Sequence, residues 1–334
     1  MFITNLDEVV DVLRPRLRDY LVEKLSIRAN ARKINCFVHQ DSNPSMYFNP
    51  KNGDETIKCF SCGWSGDIFA VAAQIENLPN TGPDWVTVTI PALANTLKIP
   101  LKLGEPTQAD KEKAHLYKLC QDIVQVCQSK ELPPAISDYA NGRGWAQEHL
   151  EFFSIEEEVL IAGLVHLGWN AAEVNRSMII RKRYLSFFGE EKITFVIKDS
   201  RGRPIGFIAR DIAVNAMSKY INTPENAIYE KGKSLLGLDV AINLAKKLGV
   251  YVVEGPGDLA NLYRLGIRNA IAVCGTAFTK NHLLLLKSLG IRKVYLNFDW
   301  DNRGCLATQR VLEDVLVATN GISTFVVLSP QESF

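Results

Sequence analysis

The chain has 334 residues, with 38 Lys and Arg against 37 Asp and Glu, and a formal net charge of +1. A composition of 47% hydrophobic and 22% charged residues argues for folded globular structure, long enough for two or three domains, and against extended disorder. No uninterrupted apolar run is long enough for a membrane span, and the first residues carry Asp7 and Glu8 without a basic stretch, so neither a membrane anchor nor a signal peptide is expected.

The expected compartment is the cytoplasm, where cysteines stay reduced. There are 7 cysteines, and their spacing suggests no disulfide framework. Cys36, Cys59 and Cys62 cluster with a histidine, whereas Cys120, Cys127, Cys274 and Cys305 are scattered and read as small buried apolar residues. Charge is unevenly distributed. Residues 1–175 hold 16 basic and 23 acidic side chains, residues 176–233 hold 12 and 6, and residues 234–334 hold 10 and 8. The middle block has the balance expected of a phosphate-binding surface.

In chain order, Val9, Val10, Leu13, Leu17, Tyr20, Leu21 and Leu25 recur at helical spacing over residues 7–25. Asn52-Gly53 predicts a hairpin turn between strands Ser45–Phe48 and Thr56–Phe60. Asp67 is placed to cap a helix over 68–75, and another helix is expected over 91–97. Residues 99–109, with two prolines and a glycine, read as a linker. Helical patterns follow over 110–128 and 135–150, then strands at 193–198 and 205–209. From about residue 240, strands at 251–254, 270–273, 293–298 and 324–328 alternate with helices at 259–265, 280–289 and 305–317. Such alternation predicts a parallel sheet covered by helices.

Two motifs carry chemistry. Cys36 and His39, and Cys59 and Cys62, are ligand pairs at tight-turn spacing, separated by 19 residues that contain the predicted hairpin. Four N/S ligands match a closed tetrahedral Zn²⁺ site of structural type. Lys33, Phe37, Tyr47, Phe48, Lys58, Phe60 and Trp64 are candidates to stack and track a single nucleic-acid strand around it. The second motif is acidic. Glu254 ends one strand of the α/β run, while Asp299 and Asp301, two residues apart and so on one face, end another. Ligands of open parallel sheets bind beyond the carboxyl ends of strands. Carboxylates converging there are costly unless divalent cations join them, and oxygen ligands favour Mg²⁺ or Mn²⁺.

These blocks, in order, resemble the bacterial and phage DnaG-type primases. Residues 36–69 are similar to the family's zinc ribbon, including Pro-Ser after the first pair and Cys-x-x-Cys-Gly-x-x-Gly-Asp. Residues 139–144 (YANGRG), 193–210 (ITFVIKDSRGRPIGFIAR) and 219–238 (KYINTPENAIYEKGKSLLGL) are similar to motifs of its polymerase core. Residues 252–258 (VVEGPGD), 275–279 (GTAFT) and 298–304 (FDWDNRG) look like its three Toprim segments. The resemblance implies an α/β and α+β multidomain chain. Its parts would be a zinc-ribbon domain over 1–98, a linker over 99–109, a mixed α+β basic subdomain over 110–240, and a Toprim α/β parallel-sheet subdomain over 241–334.

The resemblance also implies roles. Glu254, Asp299 and Asp301 correspond to metal-binding carboxylates, with Asp258 a further Toprim acid. Arg143, Arg210, Lys219, Asn222 and Lys231 correspond to residues that hold template or incoming nucleotide. The implied partners are single-stranded DNA, ribonucleoside triphosphates and a replicative helicase, with no membrane. Two departures stand out. Residues 254–258 read Glu-Gly-Pro-Gly-Asp where the family has Glu-Gly-Tyr and an apolar residue before the Asp, so Pro256 reads as a rigid turn. Residues 330–334, with Glu332 as the acid, stand where the family carries a later Asp-x-Asp, and no helicase-docking domain follows. The expectation is a truncated chain or a site with fewer carboxylates, and a phage protein or a fragment. Set against primer synthesis are a Toprim nuclease or topoisomerase, and a non-catalytic strand-binding protein. A topoisomerase needs a tyrosine nucleophile in a separate domain, for which no residues are left over.

Overall fold

The computed structural model describes residues 2–50, 53–80, 84–273, 277–299, 302–315 and 321–327, without the side chains of residues 302, 303, 314 and 315. The chain divides into two units, Met1–Gln108 and Ala109–Phe334.

In the first unit, the periodic stretch over 7–25 forms two helices rather than one. Leu6–Leu13 and Leu17–Leu25 flank a single 3₁₀ turn, Arg14–Arg16, at Pro15, which has no N–H to continue the α ladder. Their apolar faces bury Val9, Val10, Leu13, Leu17 and Tyr20 in one cluster with Met46, Ile57 and Leu93. A four-stranded antiparallel sheet follows, in the order Lys33–Ile34, Met46–Phe48, Thr56–Cys59, Ser65–Asp67. The predicted hairpin pairs Met46 with Cys59 and Phe48 with Ile57; Asn52 lies outside the described residues. Asp67 caps the helix Ile68–Glu76, its carboxylate accepting the N–H groups of Phe69 and Ala70 at 3.1 and 3.0 Å. The helix expected at 91–97 is Ile90–Thr96, entered through a wide π turn over Trp85–Thr89. Part of the span read as a linker is tied down: Leu103–Gly104 pairs antiparallel with Phe2–Ile3.

The second unit opens with the long helix Gln108–Gln128. The helical pattern over 135–150 ends early, at Pro134–Gly142, and the chain turns at Gly144, whose φ of +67° is open to glycine. An antiparallel sheet is ordered Tyr220–Asn222, Pro204–Asp211, Lys192–Lys198, Phe152–Phe153. Its central strands read as near-continuous apolar runs because both faces are buried. One face carries Val196 and Phe207 against Leu116, Ile123, Leu160 and Leu164 of the helices. The other carries Ile193, Phe195 and Ile208 against Val253, Leu259, Tyr263 and Ala272. Each such fully buried side chain contributes roughly 1.5–3 kcal/mol, so this shared core holds the antiparallel sheet firmly against the parallel one.

The parallel sheet is ordered Ala270–Ala272, Val250–Val253, Lys293–Leu296, Ser323–Val326. All its pairings are parallel. Helices Leu238–Leu248, Pro256–Arg264, Lys280–Ser288 and Asn302–Arg310 alternate with these strands. Because the second strand in the chain lies on one side of the first and the third on the other, connections leave in opposite directions at Val250–Val253 and Lys293–Leu296. A crevice opens at such a reversal. Among the described residues, no helix is long and apolar enough to cross a membrane.

Candidate functional site

The two ligand pairs of the ribbon meet. The three sulfurs of Cys36, Cys59 and Cys62 and a ring nitrogen of His39 all lie within 4.8 Å of one another. Cys36 Sγ is 3.9 Å from Cys62 Sγ, and Cys59 Sγ is 4.0 Å from His39 Nδ1. Zinc–sulfur bonds of about 2.3 Å in a tetrahedron set ligand atoms roughly 3.8 Å apart, so the cluster has the dimensions of a closed four-ligand site. Backbone N–H groups are aimed at two of the sulfurs. The N–H of Val38 points at Cys36 Sγ and that of Cys62 at Cys59 Sγ, both at 3.4 Å. Burial, the largest single influence on Cys59, raises its pKa, yet the N–H of Cys62, the Ser45 hydroxyl and the N–H of Ser61 together bring it down to about 6. Burial is also the largest influence on Cys36 and holds its thiol above the usual range. Asp41 orders the first turn by accepting from Ser45 Oγ at 2.6 Å and from the N–H of Cys36 at 2.8 Å, bonds that keep its own pKa low.

The aromatic candidates on the ribbon separate into two groups. Phe37 and Trp64 pack edge to face and support the ligand turns, and Phe48 is buried beneath the Arg18 guanidinium. Lys33, Tyr47 and Lys58, by contrast, are cross-strand neighbours on one exposed face. Phe60 extends that face at 70% exposure, edge to face with Tyr47 and 5.6 Å from Lys58 Nζ.

In the second unit, Glu254 follows strand Val250–Val253 and Asp299 follows strand Lys293–Leu296, so both stand at the crevice between adjacent strands. The backbone N–H of Asp299 donates to Glu254 Oε1 at 3.1 Å. Asp301 lies outside the described residues, as do Gly275 and Thr276 of the middle segment. Asp258 sits in the first turn of Pro256–Arg264, and its carboxylate reaches back to accept the N–H of Gly255 at 3.2 Å. Pro256 begins that helix, where its missing N–H costs nothing. Burial raises the Asp258 carboxyl and the negative charge of Asp299 raises it further, while the Gly255 N–H and Lys219 oppose. Acids therefore crowd this crevice, with Lys219 close enough to matter.

Arg210 is set beside them by strand register. It pairs directly with Tyr220, which places the two side chains on one face. Its Nε donates to Tyr139 Oη at 2.5 Å and its Nη1 to Tyr220 Oη at 3.0 Å. The guanidinium also lies against the rings of Tyr139, Trp145 and Tyr220. Arg210 is only 9% exposed, and no carboxylate pairs with it among the described residues. Arg143, exposed, lies 4.9 Å from the Tyr139 ring centroid and 5.6 Å from that of Trp145. The same aromatic wall touches the acidic loop: a methyl group on Gly257 would lie 3.0 Å from the Trp145 ring and 3.8 Å from Tyr220 Oη. Asn222 and Lys231 line a cavity of about 400 Å³ together with Lys182, Arg183, Tyr184, Ser218 and Tyr220.

Sequence reasoning missed the aromatic wall, the cations Lys182 and Arg183, and Gly304. Tyr139, Tyr220 and Gly304 lay inside the quoted motifs, and Lys182 and Arg183 inside the basic block, and could have been found there; Trp145 carried no local signal. Gly304 matters through space alone. A Cβ there would fall 1.9 Å from the Asp299 carbonyl oxygen and 2.9 Å from Glu254 Oε1.

Fold and cluster together define the class: a Toprim protein with an antiparallel companion sheet and a metal-binding ribbon. Comparison with known proteins agrees segment by segment. The N-terminal domain of the DNA primase catalytic core matches residues 125–242, and the Toprim domain matches residues 249–327. The chain belongs to the bacterial DnaG-type DNA primase family. It is 30% identical over 302 residues to a DNA primase of Deinococcus radiodurans, covering 85% of this chain and 49% of that one. It is similar to the crystal structure of the Aquifex aeolicus primase zinc-binding and RNA polymerase domains, at 27% identity and a TM-score of 0.58, over 97% of this chain and 80% of that one. A DnaG primase catalytic domain bound to single-stranded DNA matches at 27% identity and a TM-score of 0.55, over 66% and 72% of the two chains. The chain spans about half the length of the curated relatives it matches.

Proposed function

We propose that this protein is a DNA-dependent RNA primase, a nucleotidyltransferase that makes short oligoribonucleotides on single-stranded DNA to start replication. The observation that carries the reading is the meeting of Glu254 and Asp299 at the strand-order reversal with Arg210, a nearly buried cation that has no carboxylate partner among the described residues, nearby. Carboxylates at a sheet crevice suit a divalent cation, and an unpaired buried guanidinium suits phosphate. The solved relative bound to single-stranded DNA supports the choice of template.

In this reading Glu254, Asp299 and Asp301 hold Mg²⁺ or Mn²⁺, ions that when bound stabilise charge on the attacking and leaving oxygens of phosphoryl transfer. Glu254 is also placed to help take the proton from the attacking 3′-hydroxyl. Arg210, clamped by Tyr139 and Tyr220, orients a phosphate by its planar fork, with Arg143 and Lys219 beside it. Lys231 and Asn222 hold the substrate farther along, from the basic cavity. Cys36, His39, Cys59 and Cys62 hold a structural Zn²⁺, which keeps Lys33, Tyr47, Lys58 and Phe60 in one exposed row for the template strand. The reading puts the protein in the cytoplasm, with a replicative helicase as partner.

The test is direct. Protein, single-stranded DNA, four ribonucleoside triphosphates and Mg²⁺ or Mn²⁺ are incubated, and labelled products are resolved by size. Oligoribonucleotides are expected, and Asp299→Ala should abolish them while leaving DNA binding intact. Cut DNA, or retardation without chemistry, would overturn the reading in favour of a nuclease or of a strand-binding protein.

A further inference from the structure

Lys231 begins a short 3₁₀ turn, Lys231–Lys233, that belongs to neither sheet. Side chains from the start of helix Lys280–Ser288 hold this turn by its carbonyls. Thr279 Oγ1 donates to Gly232 O at 2.7 Å, and His282 Nε2 lies 2.9 Å from Lys231 O. The other ring nitrogen fixes the tautomer. The backbone N–H of Thr279 donates to His282 Nδ1 at 3.1 Å, so Nδ1 carries the lone pair and Nε2 the proton given to Lys231 O. The imidazole is fully buried and stacked on Phe278, with centroids 5.5 Å apart. A side chain with no route to solvent, using both nitrogens on backbone groups, is a fixture rather than a reagent. On its other side the turn is held by Glu225, whose carboxylate accepts the Lys231 N–H at 3.1 Å.

These bonds oppose a repulsion. The Lys231 ammonium shares its cavity with Lys182 and Arg183. Burial, and then the charge of Lys182, make the protonated form of Lys231 less favourable than in water. Glu225 offsets part of this, and pinning both carbonyls fixes the backbone from which Lys231 faces the other cations, in the arrangement an oligophosphate needs.

We propose that His282 and Thr279 are positioning residues that form a latch, fixing Lys231 in the basic cavity and so setting affinity for the nucleoside triphosphate without touching it. The proposal rests on Lys231 as a phosphate-holding residue. It goes beyond that reading by naming what holds Lys231 in place.

The test is a double-mutant cycle in the full chain, with binding of a fluorescent ATP analogue and the KM and kcat of primer synthesis as readouts. His282→Phe keeps the ring on Phe278 and removes both nitrogens; Thr279→Val removes the hydroxyl and Thr279→Ser restores it. Loss of one latch bond is expected to weaken nucleotide binding and raise KM about tenfold, with kcat within about twofold. Thr279→Ser should recover wild-type values. In a Lys231→Met background, His282→Phe should have no further effect. An unchanged KM in His282→Phe and Thr279→Val, beside a raised KM in Lys231→Met, overturns the latch and leaves the role of Lys231 standing. No effect of Lys231→Met overturns that role, and the latch with it. A His282→Phe loss that persists in full on the Lys231→Met background also overturns the latch, because it then acts elsewhere. Should His282→Phe fail to fold, Thr279→Val and Thr279→Ser carry the same cycle.

Discussion

The backbone N–H of Asp299 donates to the side chain of Glu254 at 3.1 Å, joining the loops that follow two neighbouring parallel strands. One acid is thereby held by the chain segment that presents the other. Gly304, at the start of the next helix, lies so close to both residues that a side chain there would collide with them.

Gly304→Ala should therefore disable the site without unfolding the protein. Its methyl group would overlap the Asp299 carbonyl, so the loop carrying Asp299 must move. A displacement near 1 Å at reacting groups costs about 100-fold in rate. Primer synthesis is expected to fall at least that far, while circular dichroism and the melting temperature stay close to wild type. Wild-type synthesis by this variant would mean that Asp299 does not need its observed place.

Arg210 and its tyrosines give a graded series. Tyr220→Phe removes one hydrogen bond to a charged group, worth roughly 1.5–3 kcal/mol, and should raise the KM for nucleotide or template at least about tenfold. Arg210→Lys keeps the charge but loses the fork that grips two hydroxyls, and should cost more than Tyr220→Phe. Steady-state kinetics on the three proteins, with melting temperatures as a control for folding, check the order.

His282 predicts a pH dependence of stability. Burial, the dominant influence, lowers its pKa below the ordinary 6.5. A base whose folded value is depressed binds its proton more readily when the chain is unfolded. Its contribution is therefore complete above pH 6.5 and is lost as pH falls below that value. Urea midpoints measured from about pH 7.5 down to pH 5.5 should decline more steeply for the wild type than for His282→Phe. Parallel slopes would show that His282 is not buried and neutral.

The ribbon should depend on its ion. Structural zinc contributes on the order of 10 kcal/mol to folding in small zinc peptides, far more than the short strands between Lys33 and Asp67 can supply by packing. One zinc per chain is expected by emission spectroscopy. Chelation, or Cys59→Ser, should expose residues 33–67 to protease and abolish template binding through the ribbon. A chelated protein with an unaltered cleavage pattern would count against a structural metal.

Much of this was legible in the residues. Cys36, His39, Cys59 and Cys62 carry their geometry in their spacing, because two turns and one hairpin are all that is needed to join them. Glu254 and Asp299 were legible through period and alternation, which place strand ends together whatever the loops do. The helix breaks were less visible, since the run over 7–25 is periodic through Pro15 and only the missing N–H divides it. Arg210 could be singled out by resemblance, but not the reason it is held. Tyr139 and Trp145 lie on and just after one helix and Tyr220 lies on a distant strand, and they meet only where that helix packs on the antiparallel sheet. His282 and Lys231, 51 residues apart and joined by one hydrogen bond, likewise meet only in the fold.

Glu254 and Asp299 are expected to hold a divalent cation where a nucleoside triphosphate binds. Mn²⁺ titration followed by electron paramagnetic resonance, with ATP and single-stranded DNA present, addresses this most directly. Wild-type protein should bind Mn²⁺, and Glu254→Gln and Asp299→Asn should each weaken that binding at least about tenfold, by loss of a carboxylate ligand, while DNA affinity is unchanged. Equal Mn²⁺ affinity in all three proteins would show that neither carboxylate is a ligand of the cation.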